Sequence, residues 1–162
     1  MSETNVQRRA LLIALAAVVA PGASHAAGPG SKKVPAEVWK DPQCGCCKDW
    51  VAHLESNGFA VTVHETGNTA ARARLGVAEK YGSCHTAAIG GYAIEGHVPA
   101  REIHRLLREK PAAIGLAVPG MPLGSPGMDG AAYGGRKHAF DVVLLAKDGS
   151  GKVYQHYEGN KS

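Results

Sequence analysis

Residues Val34 to Gly58 read VPAEVWKDPQCGCCKDWVAHLESNG, and the hydrophobic period changes partway along this stretch. Val34 to Lys40 (VPAEVWK) reads as a strand running into DPQCGCC. Beyond that turn, Cys47, Trp50, Val51 and Leu54 fall at i, i+3, i+4 and i+7, one stripe of an amphipathic helix. Asn57-Gly58 supplies its C-terminal stop. Three of the four cysteines in the chain, Cys44, Cys46 and Cys47, therefore sit where a strand turns into a helix.

The pattern outward from this unit completes a fold. Phe59 to Glu65 (FAVTVHE) alternates in strand fashion, and Asn68 or Thr69 is placed to cap a second helix through ARARLGVAEKYG. In SCHTAAIGGYAIEGH two short apolar runs flank Gly90-Gly91, a hairpin signal. Pro99 suits the first position of a third helix, with Ile103, Leu106 and Leu107 as its apolar stripe and Pro111 beyond its end. The order strand, helix, strand, helix, hairpin, helix predicts an α/β domain with the thioredoxin-like three-layer fold. Residues 112–136, including IGLAVPGMPLGSPGMDGAAYGG, show neither period and read as a loop; loops of such length are usually functional or disordered. Residues 139–158 offer two strands around a Gly-containing turn, an additional C-terminal β-hairpin.

The 162 residues, 44% hydrophobic and 20% charged, suit one globular domain with appendages. The first 26 read as an export signal: a basic start, the apolar run ALLIALAAVVA and a small-x-small site ending at Ala26. That run is well short of the roughly 20 residues a membrane span needs, so the expectation is cleavage rather than an anchor, and no membrane association afterwards. Arg8-Arg9 is also a feature of twin-arginine signals. Residues 27–33 form a Gly/Pro/Ser/Lys linker, and the domain occupies residues 34–162. Export predicts a periplasmic location, where paired thiols oxidise unless a metal or reductant holds them. Removing Arg8, Arg9 and Glu3 lowers the formal net charge of +4 by one, too mild a balance to argue for nucleic acid.

In a thioredoxin-like arrangement the turn after the first strand carries C-x-x-C at a helix N-terminus, and Cys44 to Cys47 has that spacing. Unsatisfied N–H groups there favour thiolate, which is both nucleophile and metal ligand. The same fold sets the loop before the third strand, GSCHT, against this turn, so Cys84 and His85 would face the triad. Cys46 and Cys47 are neighbours whose side chains diverge by about 100° at a helix start, awkward for clamping one ion. Bridging sulfurs shared among several ions remove the difficulty, and the soft ion suited to this is Cu(I). Met121 and Met128, soft thioethers in the loop, together with His85 and His97, are candidate secondary or outer ligands. His53, His64, His104, His138 and His156 read as ordinary surface or half-buried residues.

Three other uses of the cysteines compete with copper. Two structural disulfides would need a strained vicinal bridge or close almost no loop. A single zinc with four Cys or three Cys and a His would stabilise an interaction module. A Cys44/Cys47 dithiol would serve a thiol-disulfide oxidoreductase, and can coexist with copper.

The combination WKDPQCGCCKDWVAHLESNGF, YGSCHTAAIGGYAIEGHVPAREIHRLL and GLAVPGMPLGSPGMDG resembles the CopG-like periplasmic copper-resistance proteins, from about Val34 to Glu158. The resemblance implies a thioredoxin-like fold in which a C-x-C-C motif and a further Cys bind copper as a Cu(I) cluster. Here those ligands would be Cys44, Cys46, Cys47 and Cys84. It also implies a role in copper tolerance, by electron transfer between copper oxidation states or by passing copper to other periplasmic copper-handling proteins.

Overall fold

The computed structural model describes residues 32–160, so the export signal and most of the linker lie outside the described residues. Strand β1 (Val34–Lys40) leads into helix α1 (Gly45–Ser56), followed by β2 (Phe59–His64) and α2 (Thr69–Arg74). Then come β3 (His85–Ile89), β4 (Tyr92–Glu95), α3 (Ala100–Glu109), β5 (Gly115–Ala117), β6 (Phe140–Leu145) and β7 (Gly151–Tyr157). The strands form one sheet in the order β2-β1-β3-β4-β5-β6-β7. β1 runs parallel to β2 and antiparallel to β3, and β3 and β4 make the Gly90-Gly91 hairpin. This is the thioredoxin-like arrangement, extended on the β4 side.

Period-two alternation separates the two faces of the sheet. Val38, Ala87, Ile94, Leu116 and Leu144 are matched in register across five strands and share one core with Trp50 and Leu54 of α1 and Ile103 and Leu106 of α3. Ala93, Ala117 and Leu145 point to the other face, where Val77 and Leu75, which follow α2, cover them. Helices thus flank the sheet on both sides.

Four local expectations are corrected. The segment 112–136 is not structureless, because β5 threads between β4 and β6. Its three residues are all buried, so it lacks the alternation that marks a strand with one solvated face. Helix α2 stops at Arg74 rather than running to Tyr81, since Gly76 adopts a φ of +75° and only a single tight turn, Glu79–Tyr81, follows. Asn68 stands at the N-cap of α2 without a side-chain capping bond. Pro99 is the residue before α3 rather than its first residue.

Helix α3 has an unexpected cap. The backbone N–H of Ala100 donates to Nε2 of His53 on α1, 3.0 Å away, which satisfies an N–H that the helix itself leaves unpaired. In return, His104 Nε2 on α3 lies 2.8 Å from the carbonyl of Asn57, at the end of α1. Burial holds the His53 pKa below its ordinary value, with Asp129 partly opposing the shift. A depressed basic group stabilises the fold above its unfolded pKa of about 6.5 and loses that contribution as pH falls. His53→Ala is therefore expected to cost about 1 kcal/mol near pH 7.5. In urea titrations the deficit should shrink as pH falls below about 6.5; a deficit independent of pH would refute the cap.

Candidate metal centre

Antiparallel pairing of β1 with β3 brings the end of one strand beside the start of the other. The register opposes Lys40 and His85, which sets Cys84 against the DPQC turn and the N-terminus of α1. Cys44 is the N-cap of that helix, and Cys47, one turn in, is fully buried. Cys44 and Cys47 are joined as a disulfide with their Cα atoms 5.4 Å apart. Cys46 Sγ lies 3.6 Å from Cys44 Sγ and 3.9 Å from Cys84 Sγ. All four sulfurs fall within 4.8 Å of one another.

Cys84 is also flanked by imidazoles. His97 Nδ1 lies 2.8 Å from the carbonyl of Pro126, which can only accept, so that nitrogen carries the proton. The lone pair of Nε2 then faces Cys84 Sγ at 3.2 Å. His85 Nδ1 lies 3.4 Å from the same sulfur, while its Nε2 is buried with no hydrogen-bond partner. Its ring packs against Trp50, with centroids 4.2 Å apart, and edge-on to His97. Burial, reinforced by His97, holds the His85 pKa well below its ordinary value, so the ring is neutral. Burial also lowers His97 and, together with nearby Cys46, pushes the Cys84 thiol up to about 12. Two neutral imidazoles beside a protonated thiol form a mixed nitrogen and sulfur donor set without buried charge, and a metal ion would displace the thiol proton. Cys84, His85 and His97 place their donor atoms within 4.8 Å of one another, so Cys84 belongs to two overlapping donor groups.

The segment after β5 packs over this centre. Besides the Pro126 carbonyl on His97, Gly127 lies so close to α1 that an added Cβ would stand 2.6 Å from the carbonyl oxygen of Cys46 and 2.9 Å from the nitrogen of Trp50. Gly127 has a φ of +84°, so both conformation and space call for glycine there. Met128, next in the chain, is 8% exposed, whereas Met121 is 53% exposed and turned toward solvent.

Sequence reasoning missed the residues beneath the Cys84 loop. Glu95, fully buried on β4, accepts from the Ser83 N–H at 2.7 Å, the Thr86 hydroxyl at 2.6 Å and Arg72 Nε at 2.9 Å. An acid in the strand-like run YAIE was the available signal, since an unpaired buried carboxylate is costly. His53 gave none, because its partner is a backbone N–H on another helix.

A disulfide and one free thiol at a helix N-terminus, opposed by a second free cysteine between two buried histidines, define a protein of thioredoxin-like fold with a thiol-imidazole centre. The chain matches two solved structures, both at 48% sequence identity. One, titled copper resistance protein copG, form 1, covers 78% of this chain and 99% of its own, with a TM-score of 0.72. The other, form 2, covers 77% and 98%, with a TM-score of 0.71. A family described as "Protein of unknown function, DUF411" matches residues 81–128. No curated protein matches. The chain belongs to the family of the copper resistance protein CopG.

Proposed function

We propose that this is an exported, periplasmic protein that captures Cu(I) on a cluster of cysteine thiolates, in the service of copper resistance or copper transfer. The observation that carries this reading is the convergence of Cys44, Cys46, Cys47 and Cys84 within 4.8 Å, in a chain 48% identical to proteins titled for copper resistance. Thiolates are soft donors that bridge readily between Cu(I) ions, so four of them in so small a volume suit a multinuclear site. His97 and His85 supply nitrogen donors at its edge, and Met128 is carried by the segment that covers it. Met121 faces solvent and suits a transfer step better than a resident ligand. Copper here is cargo, with other periplasmic copper-handling proteins as donors or recipients.

The Cys44–Cys47 bond limits this chemistry. Two of the four sulfurs become available as thiolates only after an external thiol reductant supplies two electrons to the bond, so capture requires the reduced protein. The same bond favours a second reading, a thiol-disulfide oxidoreductase working through Cys44 and Cys47. That reading predicts that metal-free protein reduces insulin-type disulfides or oxidises the corresponding dithiols, and that Cys46 is dispensable.

The test is Cys84→Ser, titrated with Cu(I) under reducing conditions against a competing chelator. Loss of bound copper per chain, with metal-to-sulfur and short metal-to-metal distances by X-ray absorption in the parent, supports the cluster. Unchanged stoichiometry in Cys84→Ser rejects the opposing-loop ligand. N-terminal sequencing of protein from a periplasmic fraction tests export, with a new terminus after Ala26 expected.

A further inference from the structure

Gly82, Ser83 and Cys84 form an irregular connection entering β3, yet little of it is free to move. On its inner side Glu95 takes the Ser83 N–H, and Arg72 donates both to Glu95 and to the Ser83 carbonyl. Asn68, at the start of α2, donates to the same carbonyl at 3.1 Å and to the Thr86 hydroxyl at 3.2 Å. On its outer side the Ser83 hydroxyl donates to the Gly120 carbonyl, and Gly120 N–H returns a bond to the Gly82 carbonyl at 3.2 Å. Gly82 and Ser83, just before Cys84, and Thr86, two residues after it, are thus clamped through backbone and hydroxyl, and none of these bonds engages the thiol that faces Cys46.

The geometry follows from the sheet. Thr86 and Glu95 are a cross-strand pair on the face that carries α2, and His85 lies on the opposite face against Trp50. An arginine one turn into α2 reaches down to that pair. A fully buried carboxylate is a costly way to stiffen a loop when apolar packing would serve, and here its bonds converge on Ser83 and Thr86, which bracket Cys84 and His85.

Resting on the Cu(I) reading above, we infer that Arg72, Glu95 and Asn68 are positioning residues for the fourth sulfur: they hold Cys84 at the cluster before any metal arrives. None of them reaches a sulfur; they act through Ser83 and Thr86. Preorganisation of this kind raises affinity because the loop does not have to be ordered on binding.

Glu95→Gln and Asn68→Ala in the mature chain test this. In reduced protein, Glu95→Gln should lower Cu(I) affinity by about 10-fold or more, the usual scale for groups that orient ligands. Combined with Cys84→Ser it should lower affinity no further, because its effect runs through that sulfur. A metal-free readout uses Cys46→Ser protein with the Cys44–Cys47 bond intact, where Cys84 is the one free thiol. Its alkylation should run several-fold faster with either substitution. Should Glu95→Gln fail to fold, Asn68→Ala carries the test, since Asn68 stands outside the buried ion pair. Unchanged affinity and unchanged alkylation, or an equal loss of affinity with and without Cys84→Ser, overturns the inference. A parent that binds no Cu(I) defeats the copper reading instead, and the alkylation arm still decides whether the clamp places the thiol.

Discussion

Protein reduced before titration is expected to bind Cu(I) on all four sulfurs, and protein carrying the Cys44–Cys47 bond to lose most of that capacity. A bonded sulfur has no thiolate charge to share, so oxidation removes two bridging ligands at once and leaves Cys46 and Cys84 as the free thiols. Altering groups that merely orient ligands costs roughly 10- to 100-fold in affinity, so losing two ligands should exceed the upper end of that range. Anaerobic titration against a Cu(I) chelator, with thiols counted in the same samples, checks this. The counts should be two in the oxidised protein and four in the reduced. Equal copper uptake by the two forms would place the metal elsewhere and defeat the thiolate cluster.

Trp50→Ala should be the most destabilising single change in α1. The ring is fully buried between helix and sheet, its Nε1 donates to the Val98 carbonyl at 2.9 Å, and its face packs on His85. Truncation removes that volume and leaves the Val98 carbonyl without its donor, for an expected loss of about 4 kcal/mol. Domains of this size have only about 5–15 kcal/mol in total, so little reserve remains. With the oxidation state held fixed, the urea midpoint should fall by about 2 M while the slope stays unchanged. A shift below about 0.5 M would show that the indole is not what joins α1 to the strand after Cys84. The substitution should also loosen His85, because the cavity opens on that imidazole.

Elements that announce themselves locally were legible in the residues. VPAEVWK is β1 to the residue, the Cys47-Trp50-Leu54 stripe is the buried side of α1, and Gly90-Gly91 turns β3 into β4. What escaped was whatever depended on a distant partner. β5 is three residues long and buried throughout, so no period could mark it; only β4 and β6 on either side make it a strand. Asn68 looked like a helix cap because its type and place suit one, but its Nδ2 donates to Ser83 and Thr86 and its side chain makes no capping bond. Met121 and Met128 looked equivalent in a glycine-rich loop, yet Gly127 presses against α1 and leaves only Met128 buried.

The residues by themselves determined the order of elements, the junction carrying Cys44, Cys46 and Cys47, and the alternation that assigns each strand two faces, because these depend on neighbours a few positions apart. Only the tertiary structure decided that Cys44 bonds Cys47, that His97 turns Nε2 rather than Nδ1 toward Cys84, and that a buried Glu95 holds the loop between them. Those outcomes turn on distances of a few ångströms between groups up to 38 positions apart in the chain, as with Cys46 and Cys84. Short-range periodicity carries no record of such distances; the sheet register and the packing of α1, α2 and the covering segment set them.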